Sequence, residues 1–251
     1  MSTLRSLFLL TVTLLVSGLP RAAFSEEAGS TNQFLSAGHP TEALSLLTSP
    51  QLATLSSPEL WYNRGLAEEK SSDSIAASLS YRRALLLDPT LLAARTRLAA
   101  VLGTLGIPLA HDWHDQLLMT MHPDHLIIGG AILGWLGILS LVFLLMTRPY
   151  RPGLIALALS AFILGHGLSL FGTLIDPRRL ATNQAVVTAR SAPTLHDTPA
   201  DSAKAEGTLA PGSLLTIISR NGAWWKISND TSTGWTLSNT ITPLLPFTVG
   251  L

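Results

Sequence analysis

The apolar positions of this chain are gathered into blocks, and each block has its own period. Leu126 to Thr147 and Gly153 to Ile175 hold no charged residue. Each run exceeds the about 20 residues a helix needs to cross about 30 Å of hydrocarbon, so the pattern predicts transmembrane helices over 126–147 and 153–175. A short turn, 148–152, separates them and carries Arg148 and Arg151. Upstream, residues 27–105 read as helices with legible ends. Ser57-Pro58-Glu59 and Asp88-Pro89 are expected to start helices, because proline behind a Ser or Asp cap takes the place whose N–H has no helical partner. Gly103, Gly106 and Pro108 end the run. After Asn183 the period shortens to β-prone runs, AVVTAR, GTLA, SLLTIIS, AWWKIS and GWTLS, with turn residues at Pro211-Gly212 and Asn221-Gly222. Regularly spaced short strands with such turns predict a small all-β barrel over 183–245.

The start of the chain sets a direction. Arg5 precedes an apolar run from Leu7 to Val16, followed by Gly18-Leu19-Pro20 and small residues at Ala23 and Ser25. This is the layout of a signal peptide over 1–25 cleaved after Ser25; an uncleaved anchor is the alternative, and both export the downstream helical segment. A short basic loop favours the cytoplasmic side, so the turn is expected inside and the two flanking modules outside. The expectation is a multi-pass protein of the inner (cytoplasmic) membrane with both modules on the periplasmic or extracytoplasmic side. Gly130 with Gly134, and Ala161 with Gly165, form small-xxx-small steps that predict helix contact within the hairpin or between copies. His166 is the one readily ionisable group inside either span. It reads either as a functional group or as a ring satisfied by a neighbouring carbonyl.

Composition narrows the class. Charged residues make up 13% of the chain, about half the usual share for a soluble protein, and mean hydropathy is positive. Formal net charge is zero and no long basic block occurs, which argues against nucleic acid as a partner. The absence of cysteine removes disulfides, thiolate metal sites, cysteine nucleophiles and a lipoprotein anchor.

Between Trp61 and Pro89, the residues Trp61, Gly65, Ala77, Tyr81, Ala84 and Pro89 stand at a recurrent spacing, and Ala43 lies thirty-four residues before Ala77. This segment resembles a tetratricopeptide repeat, with a degenerate repeat before it and a closing helix from Leu92 to Leu102. The resemblance assigns 26–108 to a repeat domain. Gly65 and Ala77 would be small where two helices approach, and Tyr81 and Trp61 would fill the space between them. Arg64 departs from the leucine of the pattern. Such a module presents a concave face, here Tyr62, Asn63, Leu66, Glu69 and Arg97, for a partner segment; the plain alternative is a solvated structural surface.

In the C-terminal part, Ala189-Arg190-Ser191-Ala192-Pro193, Gly207-Thr208-Leu209 leading to Gly212, Trp224-Trp225 and Gly234-Trp235 resemble a bacterial SH3-like domain. The resemblance implies a recognition module, often for cell-wall peptides, with Trp224, Trp225 and Trp235 as its ligand face. Alternation along a strand requires that one of Trp224 and Trp225 points in and the other out. The segment His196 to Glu206 reads as a mobile loop.

The remaining cluster is His111, Asp112, His114, Asp115, His122, Asp124 and His125, in a juxtamembrane segment over 109–125. Its spacing matches no zinc motif, and Trp113 at an interface needs no metal. Taken in order, these parts resemble the BatE proteins of the Bacteroides aerotolerance operon. The fold class is therefore a multidomain membrane protein: α-helical tetratricopeptide repeats, a two-helix transmembrane hairpin and a small all-β SH3-like barrel. The resemblance implies a non-enzymatic scaffold without cofactors, partnered by von Willebrand A-domain Bat proteins in aerotolerance or envelope stress. The alternative is an envelope sensor or wall-binding protein that holds peptidoglycan peptides.

Overall fold

A computed structural model describes residue 31 and residues 33–47, 57–108, 113–146, 152–229 and 232–245. The expected signal peptide, the turn residues 148–151, and His111 with Asp112 lie outside the described residues.

The first module includes the helices α1 (Pro40–Leu47), α2 (Pro58–Lys70), α3 (Ser74–Leu87) and α4 (Leu92–Thr104), with residue 31 and residues 33–36 also helical ahead of them. Each packs on the next. Pro58 opens α2 behind Ser57, as its sequence requires. Asp73 caps α3 by accepting the Ala76 N–H at 3.1 Å. Asp88-Pro89 does not start a helix. The Asp88 carboxylate instead accepts the Thr90 N–H (2.9 Å) and hydroxyl (2.6 Å), which closes a turn two residues on and delays α4 to Leu92. Gly65 allows α2 and α3 to touch: a Cβ there would come within 2.6 Å of the Tyr81 ring. Tyr81, Ala77 and Ala84 are fully buried behind it.

Trp61 of α2 reaches α3 at Arg83. It lies half-buried with the Arg83 guanidinium 4.7 Å and that of Arg64 5.4 Å from its ring centroid. Arg64, the departure from the pattern, donates to the buried Glu68 at 2.9 Å, and Glu68 also accepts the Ser80 hydroxyl. A charged residue is tolerated there because a carboxylate and an aromatic face receive it.

After a short α5 (Trp113–Thr120) come two long apolar helices, α6 (Pro123–Met146) and α7 (Pro152–Leu174). Both are long and apolar enough to cross a membrane, and little of either is buried within the protein. They run antiparallel in direct backbone contact. A Cβ on Gly130 would meet the Gly165 carbonyl and the Ser169 amide at 2.6 Å, and one on Gly137 would meet the Phe162 amide at 2.6 Å. The small stripe on α7 is Ala158, Gly165 and Gly172, all buried, rather than Ala161 with Gly165. Seven-residue spacing keeps a stripe on one side of a helix better than four-residue spacing when the partner runs alongside for its whole length.

The upper ends of the hairpin are clasped. Asp124, in the first turn of α6, pairs with Arg178 in α8 (Pro177–Leu180), and Arg178 also grips Asp176 at 2.9 and 3.0 Å. These bonds raise the Arg178 pKa, hydrogen bonding to Asp176 foremost. His122 ties the clasp to the helical module: its Nε2–H donates to the Leu87 carbonyl (3.3 Å), and its Nδ1 accepts the Asp124 N–H (3.2 Å).

The C-terminal module has seven antiparallel strands: β1 (Gln184–Val187), β2 (Thr194–His196), β3 (Ala205–Thr208), β4 (Leu214–Asn221), β5 (Trp224–Ser228), β6 (Thr233–Leu237) and β7 (Ile241–Pro243), ordered β3-β2-β6-β5-β4-β1-β7. No run of β-prone residues marks β2 or β7, which are three residues each. Gly212 and Gly222 take the positive φ of the expected turns, +85° and +57°. Leu195 of β2, Ile227 of β5 and Ala185 with Val187 of β1 share one core, so the sheet curls around it.

β1 is buried on both faces. Ala185 and Val187 point into that core, whereas Val186 joins Leu79 and Leu86 of α3, Ala181 and Leu244 in a second cluster. This explains why AVV is a continuous apolar run rather than an alternation. Arg83 of α3 completes the seam by donating to the carbonyls of Leu244 (2.9 Å) and Pro243 (3.0 Å). The helical module and the sheet therefore form one body.

Candidate recognition site

Cross-strand register sorts the tryptophans. Trp225 lies opposite Thr236, which is buried, and packs on the inner core, with the Arg220 guanidinium 4.6 Å from its ring centroid. Trp224 therefore points outward, and so do Lys226, its neighbour two residues on, and Trp235, which lies opposite Lys226. His196 on β2 faces Trp235 in register and meets the Trp224 ring edge-on, with centroids 5.3 Å apart. Three rings and one ammonium thus share an outer face: Trp224, Trp235, His196 and Lys226.

His196 is fixed rather than free. Its Nδ1–H donates to the Ala203 carbonyl (3.1 Å), which leaves Nε2 to accept the Thr194 hydroxyl (2.8 Å). The first bond also ties down the segment expected to be a mobile loop, together with Asp197 N–H to the Lys204 carbonyl at 3.2 Å. Sequence reasoning missed His196 and Lys226. Lys226 was recoverable from its two-residue offset from Trp224, but His196 was not, because β2 itself had no signal.

The five residues expected on the helical module's concave face lie on α2 and α4, engaged mainly with one another and with the core. Glu69 accepts the Tyr81 hydroxyl (2.6 Å) and pairs with Arg97 (3.2 Å). Burial, then the bond to Glu69, holds the Tyr81 hydroxyl well above the ordinary tyrosine range. The Tyr62 ring sits 5.9 Å from that of Tyr81, Leu66 packs on the same cluster, and Asn63 is 5% exposed. In the hairpin, His166 donates its Nδ1–H to the Phe162 carbonyl at 3.0 Å, one turn back, and lies over Gly134. His122 and His125 stand with ring centroids 5.5 Å apart beside an open cleft that includes Leu87 and Met119. Among the described residues, no three His, Asp or Glu side chains come together to hold a metal ion.

The seven strands curl into one small antiparallel unit with an aromatic outer face. Residues 191–242 match the family described as Bacterial SH3 domain. The match starts after β1 and covers a minority of the 251 residues. No curated protein and no solved structure matches the chain.

Proposed function

We propose that this chain is a non-enzymatic scaffold that binds another protein, held in the inner membrane by the α6–α7 hairpin with its helical module and SH3-like domain on the extracytoplasmic side. The observation that carries this reading is the outer face of Trp224, Trp235, His196 and Lys226 on a domain of a family of recognition modules. Rings held by their own strands bind with little entropy loss, and Lys226 supplies a cation for a carboxylate. The finer reading takes α1–α4 as tetratricopeptide repeats, which the Gly65–Tyr81 approach supports. It takes the partners as von Willebrand A-domain Bat proteins in an aerotolerance or envelope-stress complex, on the order of the parts.

A photo-crosslinking residue at Lys226, in the full chain in its native membrane, tests this. The expected product is an adduct with a von Willebrand A-domain membrane protein, lost when Trp224 and Trp235 are replaced by alanine. An unchanged adduct in that variant would count decisively against the aromatic face. The second reading, a wall-peptide sensor, draws on the same Lys226 and its fit to the carboxylates of peptidoglycan peptides. Retention of the detergent-solubilised chain on purified sacculi, without a protein adduct, would put it first.

A further inference from the structure

The middle of the hairpin carries two polar atoms with no partner among the described residues. His166 has its hydrogen on Nδ1, because that nitrogen faces the Phe162 carbonyl, and a carbonyl can only accept. Its Nε2 is therefore a bare acceptor on an exposed ring. Trp135 is a donor through Nε1–H, is 61% exposed and makes no hydrogen bond. Trp135 stands at the midpoint of α6, and His166 is within a turn of the midpoint of α7. Tryptophan in a span normally belongs at the headgroup level, where water satisfies its N–H. Here, on the reading that the hairpin spans a bilayer, donor and acceptor both face hydrocarbon.

They also share a depth and a side. Gly134 lies against His166, so Trp135 is one residue from that level. With about 100° per residue, Trp135 lies about 130° round α6 from its glycine seam, and His166 lies about 100° round α7 from its own. Because the helices run in opposite directions, both rotations lead to the same broad face of the hairpin.

We propose that this face pairs with a second copy of the chain about a two-fold axis along the bilayer normal, Trp135 of each copy donating to His166 of the other. Such an axis keeps every residue at its own depth and sets α6 of one copy opposite α7 of the other, which brings each donor to an acceptor. The two bonds are equivalent and satisfy four atoms that lipid cannot. The rest of the face is apolar, with Val142, Leu159 and Leu170 exposed. An all-apolar partner helix would leave both groups unpaired, so a second copy is the occupant that fits.

The test uses the full chain in phosphatidylcholine liposomes, labelled for energy transfer at Ser202→Cys, since the chain has no cysteine of its own. The parent chain is expected to dimerise. Trp135→Phe and His166→Phe each remove both bonds while keeping an aromatic ring, and each should weaken the dimer roughly tenfold to hundredfold. An equimolar mixture of the two variants restores one bond in the mixed pair, so transfer between variants should exceed transfer within either. Gly167→Val, on the side of α7 turned away from α6, should change nothing. A monomeric parent, unaffected variants, a mixture no better than its components, or loss of the dimer in Gly167→Val alone would each overturn the pairing. A chain stripped from the liposomes by carbonate would sink the membrane reading and the pairing together, whereas an inserted but monomeric chain sinks only the pairing.

Discussion

The molecule closes along two seams of opposite construction. Between α6 and α7 the contact is backbone on backbone: Gly130, Gly134, Gly137 and Gly165 leave no room for a Cβ, and the contacts across it are van der Waals. Between α3 and the sheet, large side chains meet, Leu79 and Leu86 against Val186 and Leu244, with Arg83 gripping two carbonyls. The proposed membrane placement of the hairpin accounts for the difference. Water rewards burial of leucine and valine at about 25 cal/mol per Å², so a seam in water gains from bulk. On the proposed reading that the hairpin spans a bilayer, hydrocarbon offers no such gain, and close approach of helices through small residues is what remains.

That contrast can be broken from either side. The largest effect is expected at the seam of large side chains: Leu86→Ala should cost about 2–5 kcal/mol, read by urea unfolding of the detergent-solubilised chain. A change below about 1 kcal/mol would mean that the two modules are not mutually stabilising. In the hairpin, Gly134→Val should cost about 1–3 kcal/mol through overpacking against His166. It is read by the same urea unfolding of the detergent-solubilised chain. Gly129→Val, where a Cβ meets nothing within 4 Å, should cost well under that amount in the same measurement.

The two adjacent arginines of α3 sharpen the comparison further. Burial pushes both down to about 10, aided at Arg83 by the nearby Arg64 charge. Arg83 has two carbonyl acceptors, but the Arg82 Nε is shut from solvent without one. Arg82→Met should therefore stabilise the chain by about 1 kcal/mol, whereas Arg83→Met should destabilise it. The unfolded chain holds the Arg82 proton more tightly than the folded one, so the penalty that Arg82 imposes is relieved only as pH rises from about 10 upward. The advantage of Arg82→Met should shrink over that range in pH-dependent unfolding curves. Smallest of all is Arg190→Ala. Its pair with Asp73 spans the two modules at 3.2 Å, but the Arg190 side chain is 85% exposed, so a loss above about 0.5 kcal/mol would be a surprise.

Much of this was written in the order of residues. The two charge-free runs dictated two long helices, whose ends lie within three residues of those expected, because hydropathy needs no knowledge of a partner. Pro58 behind Ser57, Gly212 and Gly222 in their turns, and Gly65 beneath Tyr81 obey local or single-contact rules, and they too were legible. The alternation of Trp224 and Trp225 came from the strand period alone.

Tertiary structure decided the rest. Which tryptophan faced in depended on the strand opposite, where Thr236 sits against Trp225. His196 joined the outer face only through pairing of a three-residue strand to β6. Trp61 met a cation, Arg83, only through the packing of α3 on α2 and on the sheet's carbonyls. The union of helical module and sheet into one body rests on Leu79, Leu86, Val186 and Leu244, and α3 is separated from the sheet by the whole hairpin in sequence. Periodicity and capping report what a segment does with its own neighbours. They are silent about which distant surface will meet it, because that choice is made by the packing of all the segments at once.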